Sequence, residues 1–190
     1  FTVCFLCSCS NESRSEFFAM DTIMNITAYG KNADAAAAAA KSEILRIDSE
    51  LDRKNETSKV YKLNEAGYSD DKELYELLSK AVDICAETNG GLDITTEPLS
   101  EIWGFYDSNY RIPSLEETET AKKYTDYRFI KLSGGKISLT NSARIDLGAV
   151  AKGYSADRAA EKLRENGISS AILSLGGNVR AVGKKTDGSD

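Results

Sequence analysis

The sequence contains no histidine, and this absence excludes more chemistry than any other feature of the composition. Without an imidazole, these 190 residues cannot form a Ser-His-Asp or Cys-His nucleophilic site, or any metal site with histidine ligands. Chemistry within this segment must therefore come from carboxylates, lysines, hydroxyls and backbone groups.

Basic residues, prolines and cysteines are also few. Lys and Arg number 24 against 30 Asp and Glu, so the formal net charge is −6 and the chain lacks the basic excess of a nucleic-acid-binding protein. There are 2 prolines. The 4 cysteines do not indicate a disulfide framework, and Cys85 is predicted to be a small core residue. With 41% hydrophobic and 28% charged residues, the chain is expected to be globular.

The first nine residues are apolar and end in a cysteine. They are too short to span a bilayer, which takes about 20 residues, and resemble the end of a secretory signal. Leu6-Cys7-Ser8-Cys9 resembles a lipobox in which Cys9 receives the lipid; the alternatives are a buried strand or half of a metal knuckle. We therefore expect residues 1–16 to be a lipoprotein signal remnant with a polar tether. The protein would be lipid-anchored to the bacterial cell membrane, facing outside the cytoplasm.

Strand and helix patterns alternate along the rest of the chain. Residue spacing predicts strands at 20–29, 129–132, 136–140, 170–175 and 178–182. It predicts helices at 35–52, at 72–89, from Ser114 onward through a capping box, and at 149–166. Hairpins occur as well as crossovers, so we expect an α+β fold with mixed or antiparallel sheets and packed helices.

Residues 89–96 and the Gly176-Gly177 step break this patterning. In the first, glycines precede Asp93, so the backbone can approach a ligand closely while the carboxylate accepts its hydrogen bonds. The alternative is a helix C-cap followed by a loop that Asp93 stabilises. The Gly-Gly step is more typical of a bulge or turn than of ligand contact. Trp103 is predicted to be a core or interface anchor.

Residues 145–154 place an Asp and a Lys at the start of a helix. The first-turn amides attract an anion, and Lys152 adds a point charge suited to a phosphate. The stretch matches neither a P-loop nor a dinucleotide fingerprint. The alternative is Asp146 as an N-cap with a solvent-facing Lys152, but two small residues in the first helical turn favour a ligand site.

Four motifs, in this order, resemble the ApbE family of FAD:protein FMN transferases. They are Ala19-Met20-Asp21-Thr22, Gly91-Leu92-Asp93-Ile94-Thr95 continuing to Pro98-Leu99 and Ile102-Trp103-Gly104-Phe105, Asp146-Leu147-Gly148-Ala149-Val150-Ala151-Lys152-Gly153-Tyr154, and Gly176-Gly177-Asn178. The resemblance implies that residues 17–190 are the N-terminal and central part of an ApbE-like flavin transferase domain.

The resemblance also implies a reaction: Mg²⁺-dependent transfer of FMN from FAD to a Thr or Ser hydroxyl of an acceptor flavoprotein, with release of AMP. The acceptor would belong to a membrane redox complex of the Rnf or Nqr type. The residues implied to bind FAD are Met20, Gly91, Leu92, Asp93, Asp146 and Lys152. Ala149 corresponds to a metal-ligating position, where its carbonyl oxygen is the available donor.

This sequence departs from the family pattern in two places. Lys54 stands near a position where the family often has an aromatic residue, ahead of the Ser and Asn that correspond to Ser58 and Asn64. The family's His-Asp-Pro segment and Asp/Thr metal motif would follow Asp190. We therefore expect the sequence to be cut at both ends, with the catalytic residues beyond Asp190, and the fragment alone to be inactive and poorly stable.

Two other functions remain open on the sequence. One is a flavin-handling protein without transferase activity, either an FAD-binding lipoprotein or an FAD pyrophosphate hydrolase. The other is a secreted α+β adhesin-like domain that binds no nucleotide. Binding of FAD separates the second alternative from the other functions, and modification of an acceptor separates the first alternative from the transferase.

Overall fold

The computed structural model describes residues 12–185 and residue 189, which divide into two compact units. One unit contains the described residues up to Asp48 and those from Lys152 onward; the other is Ser49–Ala151. Each unit combines helices with an antiparallel sheet, which confirms the predicted α+β class. Within the described ranges, no helix is long and apolar enough to cross a membrane.

The elements of both units are numbered in chain order. They are β1 (Glu12–Ala19), β2 (Thr22–Tyr29), α1 (Ala33–Leu51), α2 (Lys59–Ala66), β3 (Tyr68–Ser69), α3 (Lys72–Glu87), α4 (Glu97–Ile102), α5 (Leu115–Lys122), a 3₁₀ turn (Tyr127–Phe129), β4 (Ile130–Ser133), β5 (Lys136–Leu139), α6 (Gly148–Glu165), β6 (Ser170–Leu175) and β7 (Asn178–Gly183).

The first unit is built on a four-stranded sheet in the order β1-β2-β6-β7. One face of β2 is fully buried at Met24, Ile26 and Ala28, and alternate residues of β6 extend the same core. Alanines of α1 and α6 contribute to this core at helical spacing, because small side chains let a helix pack closely. The alanine run of α1 is therefore a packing surface as well as a strong helix former.

Two boundaries in this unit differ from the sequence-based prediction. Residues 12–16, assigned above to a polar tether, belong to β1 and pair with β2 from Glu12 opposite Tyr29 to Ala19 opposite Thr22. The strand predicted from Met20 begins at Thr22, because Met20 and Asp21 form the hairpin turn with φ of 49° and 57°. The proposed lipid-bearing Cys9 lies outside the described residues.

The second unit contains a three-stranded antiparallel sheet in the order β3-β5-β4, the four helices α2 to α5 and the 3₁₀ turn. The predicted hairpin is confirmed, with β4 and β5 joined across Gly134-Gly135. The predicted α3 is confirmed too, with Asp71 as its N-cap and Cys85 fully buried on its apolar face. Burial raises the pKa of the Cys85 thiol. The capping box of Ser114 and Glu117 starts α5 as expected.

Two short helices of this unit were not predicted. α2 has eight residues between the N-cap Ser58 and Gly67, whose φ of 67° ends the helix in the left-handed region. α4 has six residues and places Pro98 in its first turn. Segments this short carry too few apolar repeats to show a helical period, so their caps are the only sequence signals of these helices.

Candidate functional site

The two motif segments of the second unit meet through their backbones. The N–H of Asp146 donates a hydrogen bond to the carbonyl of Ile94 at 2.9 Å. The next residue back, Ile145, is clamped by buried Asn64: its N–H donates to Asn64 Oδ1 at 2.8 Å and its carbonyl accepts from Nδ2 at 2.9 Å. A buried side-chain amide thus fixes the register of the segment that carries Asp146.

The Asp146 carboxylate is held at both oxygens. Oδ2 accepts a hydrogen bond from the Tyr106 hydroxyl at 2.5 Å, and Oδ1 accepts from the N–H of Gly148, the first residue of α6, at 2.7 Å. The pKa of Tyr106 is raised by burial and then by this hydrogen bond. The hydroxyl therefore stays protonated, and Asp146 is presented in a fixed orientation as a partly exposed hydrogen-bond acceptor.

Arg53 connects this carboxylate with a second, buried one. Its Nε lies 3.9 Å from Asp146 Oδ2, its Nη1 lies 3.2 Å from Glu97 Oε1, and its guanidinium covers the face of the Tyr106 ring. A planar guanidinium can pair with an acid and stack on an aromatic ring at the same time, which a lysine cannot do. Arg53 thereby fixes both Asp146 and the tyrosine that donates to it.

Glu97 is the most deeply buried carboxylate of this group, with 1% of its side chain exposed. Its Oε1 accepts from both Arg53 and Arg144, each at 3.2 Å, while Oε2 has no hydrogen-bond donor among the described residues. Burial raises the pKa of Glu97, and the charge of Arg144 opposes the rise. The Glu97 carboxylate thus has a structural role: it accepts hydrogen bonds from two arginines, one of which also lies near Asp146.

Sequence reasoning missed Arg53, Glu97, Tyr106 and Arg144. They lie outside the quoted motifs and come from three separate parts of the chain, so no spacing rule connects them. The available signal is a charged residue next to a recognised motif: Glu97 follows the Asp93 motif directly, and Arg144 comes two residues before Asp146.

The structure places Asp93 as a brace of its own loop. Oδ1 accepts from the N–H and the hydroxyl of Thr95 at 2.8 and 2.6 Å, and Oδ2 accepts from the N–H of Tyr127 at 2.9 Å. The N–H of Leu92 donates to the Thr88 hydroxyl, and Gly91 is exposed in the turn after α3. This is the geometry of the loop-stabilising alternative, and contact of these three residues with FAD stays a prediction.

In the first unit, Met20 and Lys152 occupy different environments. Met20 is partly buried against the core, and its sulfur accepts a contact from the Ser155 hydroxyl at 3.9 Å. Lys152 is half-buried on α6 and has no ion-pair partner among the described residues. The Gly176-Gly177 step is a hairpin turn, as the sequence favoured. A Cβ at Gly176 would lie 2.3 Å from Thr22, so glycine is required there.

The implied metal site receives little from the described residues. They contain no group of three or more acidic or cysteine side chains arranged to hold an ion. Ala149, in the first turn of α6, offers one carbonyl oxygen, whereas a hard cation such as Mg²⁺ takes six oxygen ligands. The described residues therefore do not form a metal centre by themselves.

Comparison with known proteins identifies relatives of this chain. The chain is 29% identical to the FAD:protein FMN transferase of Haemophilus influenzae, over 78% of this chain and 44% of that protein. It is 26% identical to that of Treponema pallidum, over 96% and 57%. The chain thus spans about half the length of these curated relatives.

Solved structures share the fold. The ApbE protein of Thermotoga maritima superposes with a TM-score of 0.87 and 31% identity, covering 93% of this chain and 60% of that one. The flavinyl transferase ApbE of Pseudomonas stutzeri has the same fold, with a TM-score of 0.85 and 23% identity over 95% and 64%. The sequence matches the ApbE family over residues 20–190, and the chain belongs to that family.

Proposed function

We propose that the protein transfers FMN from FAD to a Thr or Ser hydroxyl of an acceptor flavoprotein and releases AMP. The observation that carries the proposal is Asp146, oriented by Tyr106 and Arg53 within the motif that this chain shares with the family. The curated relatives are named for this reaction.

The proposed reaction balances as a phosphoryl-group transfer. The acceptor oxygen bonds to the phosphorus of the FMN half, the pyrophosphate P–O bond breaks, and AMP leaves with the bonding electrons while the hydroxyl proton passes to solvent. Such a transfer needs positioning and charge neutralisation more than covalent help from the protein. None of the described residues is assigned as its acid or base.

Asp146 binds the flavin nucleotide in this proposal. A carboxylate accepts about four hydrogen bonds, and Asp146 uses two inside the protein, so acceptor capacity remains on a partly exposed group. Lys152 supplies positive charge for a phosphate. Met20, Gly91, Leu92 and Asp93 keep their assignment as FAD-binding residues within the same proposal.

Dependence on Mg²⁺ is part of the proposal. The ion would neutralise charge on the pyrophosphate, and Ala149 would offer it a carbonyl oxygen. Ala149 is the one metal ligand assigned among the described residues, which contain no acidic cluster.

The acceptor and the location of the protein are also proposed. The acceptor belongs to a membrane redox complex of the Rnf or Nqr type, and a lipid on Cys9 anchors the protein to the outer face of the cell membrane. Metabolic labelling with a radioactive fatty acid tests the anchor: the protein should be labelled, and Cys9→Ser should abolish the label. Equal labelling of the variant would contradict the assignment of Cys9.

The proposed activity is tested by mass spectrometry. The full-length protein is incubated with FAD, Mg²⁺ and an acceptor domain carrying a Thr flavinylation motif. We expect the acceptor to gain the mass of one FMN moiety with an equal amount of AMP released, and no gain when the acceptor Thr is replaced by Val. AMP release without acceptor modification would favour an FAD hydrolase, and FAD binding without AMP release would favour a non-catalytic carrier.

A further inference from the structure

A groove on the second unit lies between α4 and α5, and the flavin chemistry proposed above assigns no function to it. Its volume is about 370 Å³. Its lining includes three apolar or aromatic side chains and three carboxylates: Ile102, Ala121, Tyr124, Glu101, Glu116 and Glu117. The groove is therefore apolar in its body and acidic in its charged groups.

The loop that joins α4 to α5 begins directly after Ile102 of the groove lining and exposes aromatic side chains. Trp103 stacks on Phe105 with ring centroids 6.2 Å apart and an angle of 9° between the planes, and Tyr110 follows at 6.1 Å from Phe105. Further along, Ile112 and Leu115 are 87% and 78% exposed. Single exposed apolar residues are ordinary, whereas five within thirteen residues concentrate apolar surface in one stretch of the chain, as interaction sites do.

This loop is held in shape although most of its side chains face solvent. The N–H of Arg111 donates to the carbonyl of Trp103 at 3.2 Å and closes the loop. Lys54 donates to the carbonyl of Tyr106. A Cβ at Gly104 would lie 2.0 Å from the carbonyl oxygen of Asn109, so the two backbone segments are in close contact. Aromatic groups on an ordered loop lose little conformational entropy on docking, which suits a binding surface.

The charges of the groove select among partners. Its lining contains three glutamates and no Lys or Arg. Glu117 pairs with Arg111 at 2.8 Å, which with the capping bonds to Ser114 lowers the pKa of Glu117 to about 2. Within the described part of the chain, Glu101 and Glu116 form no ion pair. Two unpaired carboxylates attract a cationic side chain and repel anionic lipid headgroups.

We propose that this surface, made of the groove and the exposed side chains of residues 103–115, docks a segment of a partner protein. That segment carries apolar side chains beside Lys or Arg. The apolar side chains enter the groove and contact the aromatic stack, and the cations meet Glu101 and Glu116. Docking at this surface does not require a flavin, so this proposal can be tested independently of FMN transfer.

Trp103 makes the docking directly measurable, because it is the only tryptophan among the 190 residues and is 37% exposed. The protein is titrated with a short tryptophan-free peptide of Leu and Lys at helical spacing. We expect a saturable blue shift of tryptophan emission. The charge reversal Glu101→Lys with Glu116→Lys should weaken this binding at least about tenfold and leave FAD binding unchanged.

A matched variant controls for net charge. Asp83→Lys with Glu87→Lys changes the charge equally on exposed positions of α3 and should bind the peptide as the unchanged protein does. The proposal is overturned if both double variants lose binding equally, or if a Leu and Glu peptide shifts the emission as much. A stronger response to anionic phospholipid vesicles than to the cationic peptide would also overturn it, in favour of a membrane surface.

Discussion

At the scale of single residues, Glu97 positions two arginines of the Asp146 site by forming an ion pair with each of them. Arg53 and Arg144 converge on one of its oxygens, and only Arg53 extends from there toward Asp146. A buried carboxylate has an unfavourable desolvation energy, and it is tolerated here because both neighbours are cationic. The orientation of Asp146 thus depends on a residue that belongs to no recognised motif.

Replacing Glu97 tests this dependence. Glu97→Ala leaves two partly buried guanidinium groups without their acceptor and should lower the free energy of unfolding by about 3–5 kcal/mol. Glu97→Gln keeps an oxygen that can accept from both arginines and should lower it by about 1–2 kcal/mol. Urea unfolding followed by circular dichroism measures both. Equal losses for the two variants would show that shape alone, and not acceptance from the arginines, is what the site requires.

At the scale of elements, two turn glycines allow the cost of backbone strain to be measured apart from the cost of steric contact. Gly104 and Gly134 have similar left-handed φ values of 71° and 57°. A Cβ at Gly104 would meet the backbone of Asn109, whereas one at Gly134 has nothing within 4 Å. The pair is a matched test of whether the α4–α5 loop is closed as tightly as the structure shows.

We expect Gly134→Ala to lower the free energy of unfolding by about 1 kcal/mol, from left-handed backbone strain alone. Gly104→Ala should lower it by about 1–3 kcal/mol more, because a backbone carbonyl must move. It should also shift the emission of Trp103, which directly precedes the glycine. Equal losses in the two variants would mean that the loop has room to open around Asn109.

A charged contact joins helices α1 and α6 within the first unit. Glu43 is buried, accepts from Arg46 of α1 at 2.8 Å, and lies 3.7 Å from Arg158 of α6. The hydrogen bond with Arg46 is the main cause that lowers the pKa of Glu43. A lowered pKa means that the ionised form stabilises the folded state above the unfolded pKa and that this contribution is lost as pH falls through the folded pKa.

Glu43→Gln should therefore lower the free energy of unfolding by about 1–2 kcal/mol at pH 7. The difference from the unchanged protein should shrink as pH falls below about 4, where the unfolded carboxyl begins to bind its proton. Unfolding curves measured between neutral and acidic pH give the comparison. A difference that stays constant with pH would assign the loss to packing and not to charge.

At the scale of the whole molecule, FAD binding should stabilise the folded protein. A ligand at about 100 times its Kd adds about 2.7 kcal/mol, which raises the Tm of a chain of this size by about 5–10 °C. Asp146→Ala removes an oriented acceptor and should reduce the shift at the same FAD concentration. Asp83→Ala, on an exposed face of α3, is the control and should keep the full shift. If FAD raised the Tm of both variants by the full amount, Asp146 would not be an FAD-binding residue.

The sequence by itself determined the elements with strong local signals. The long helices, the β4–β5 and β6–β7 hairpins and the α+β class followed from apolar spacing, capping residues and paired glycines, which act over a few residues. The order of the motifs identified the family, and the same motifs named Asp146. These features need no knowledge of which distant segments meet.

Tertiary structure alone decided what surrounds Asp146. Tyr106, Arg53, Glu97 and Asn64 come from separate segments, and only folding of the second unit brings them beside residues 145–148. It also decided that Asp93 braces a loop and that the aromatic side chains near Trp103 face solvent. Hydrogen bonds and ion pairs between residues 34 to 93 positions apart leave no periodic trace in a sequence, because they depend on packing and not on local propensity.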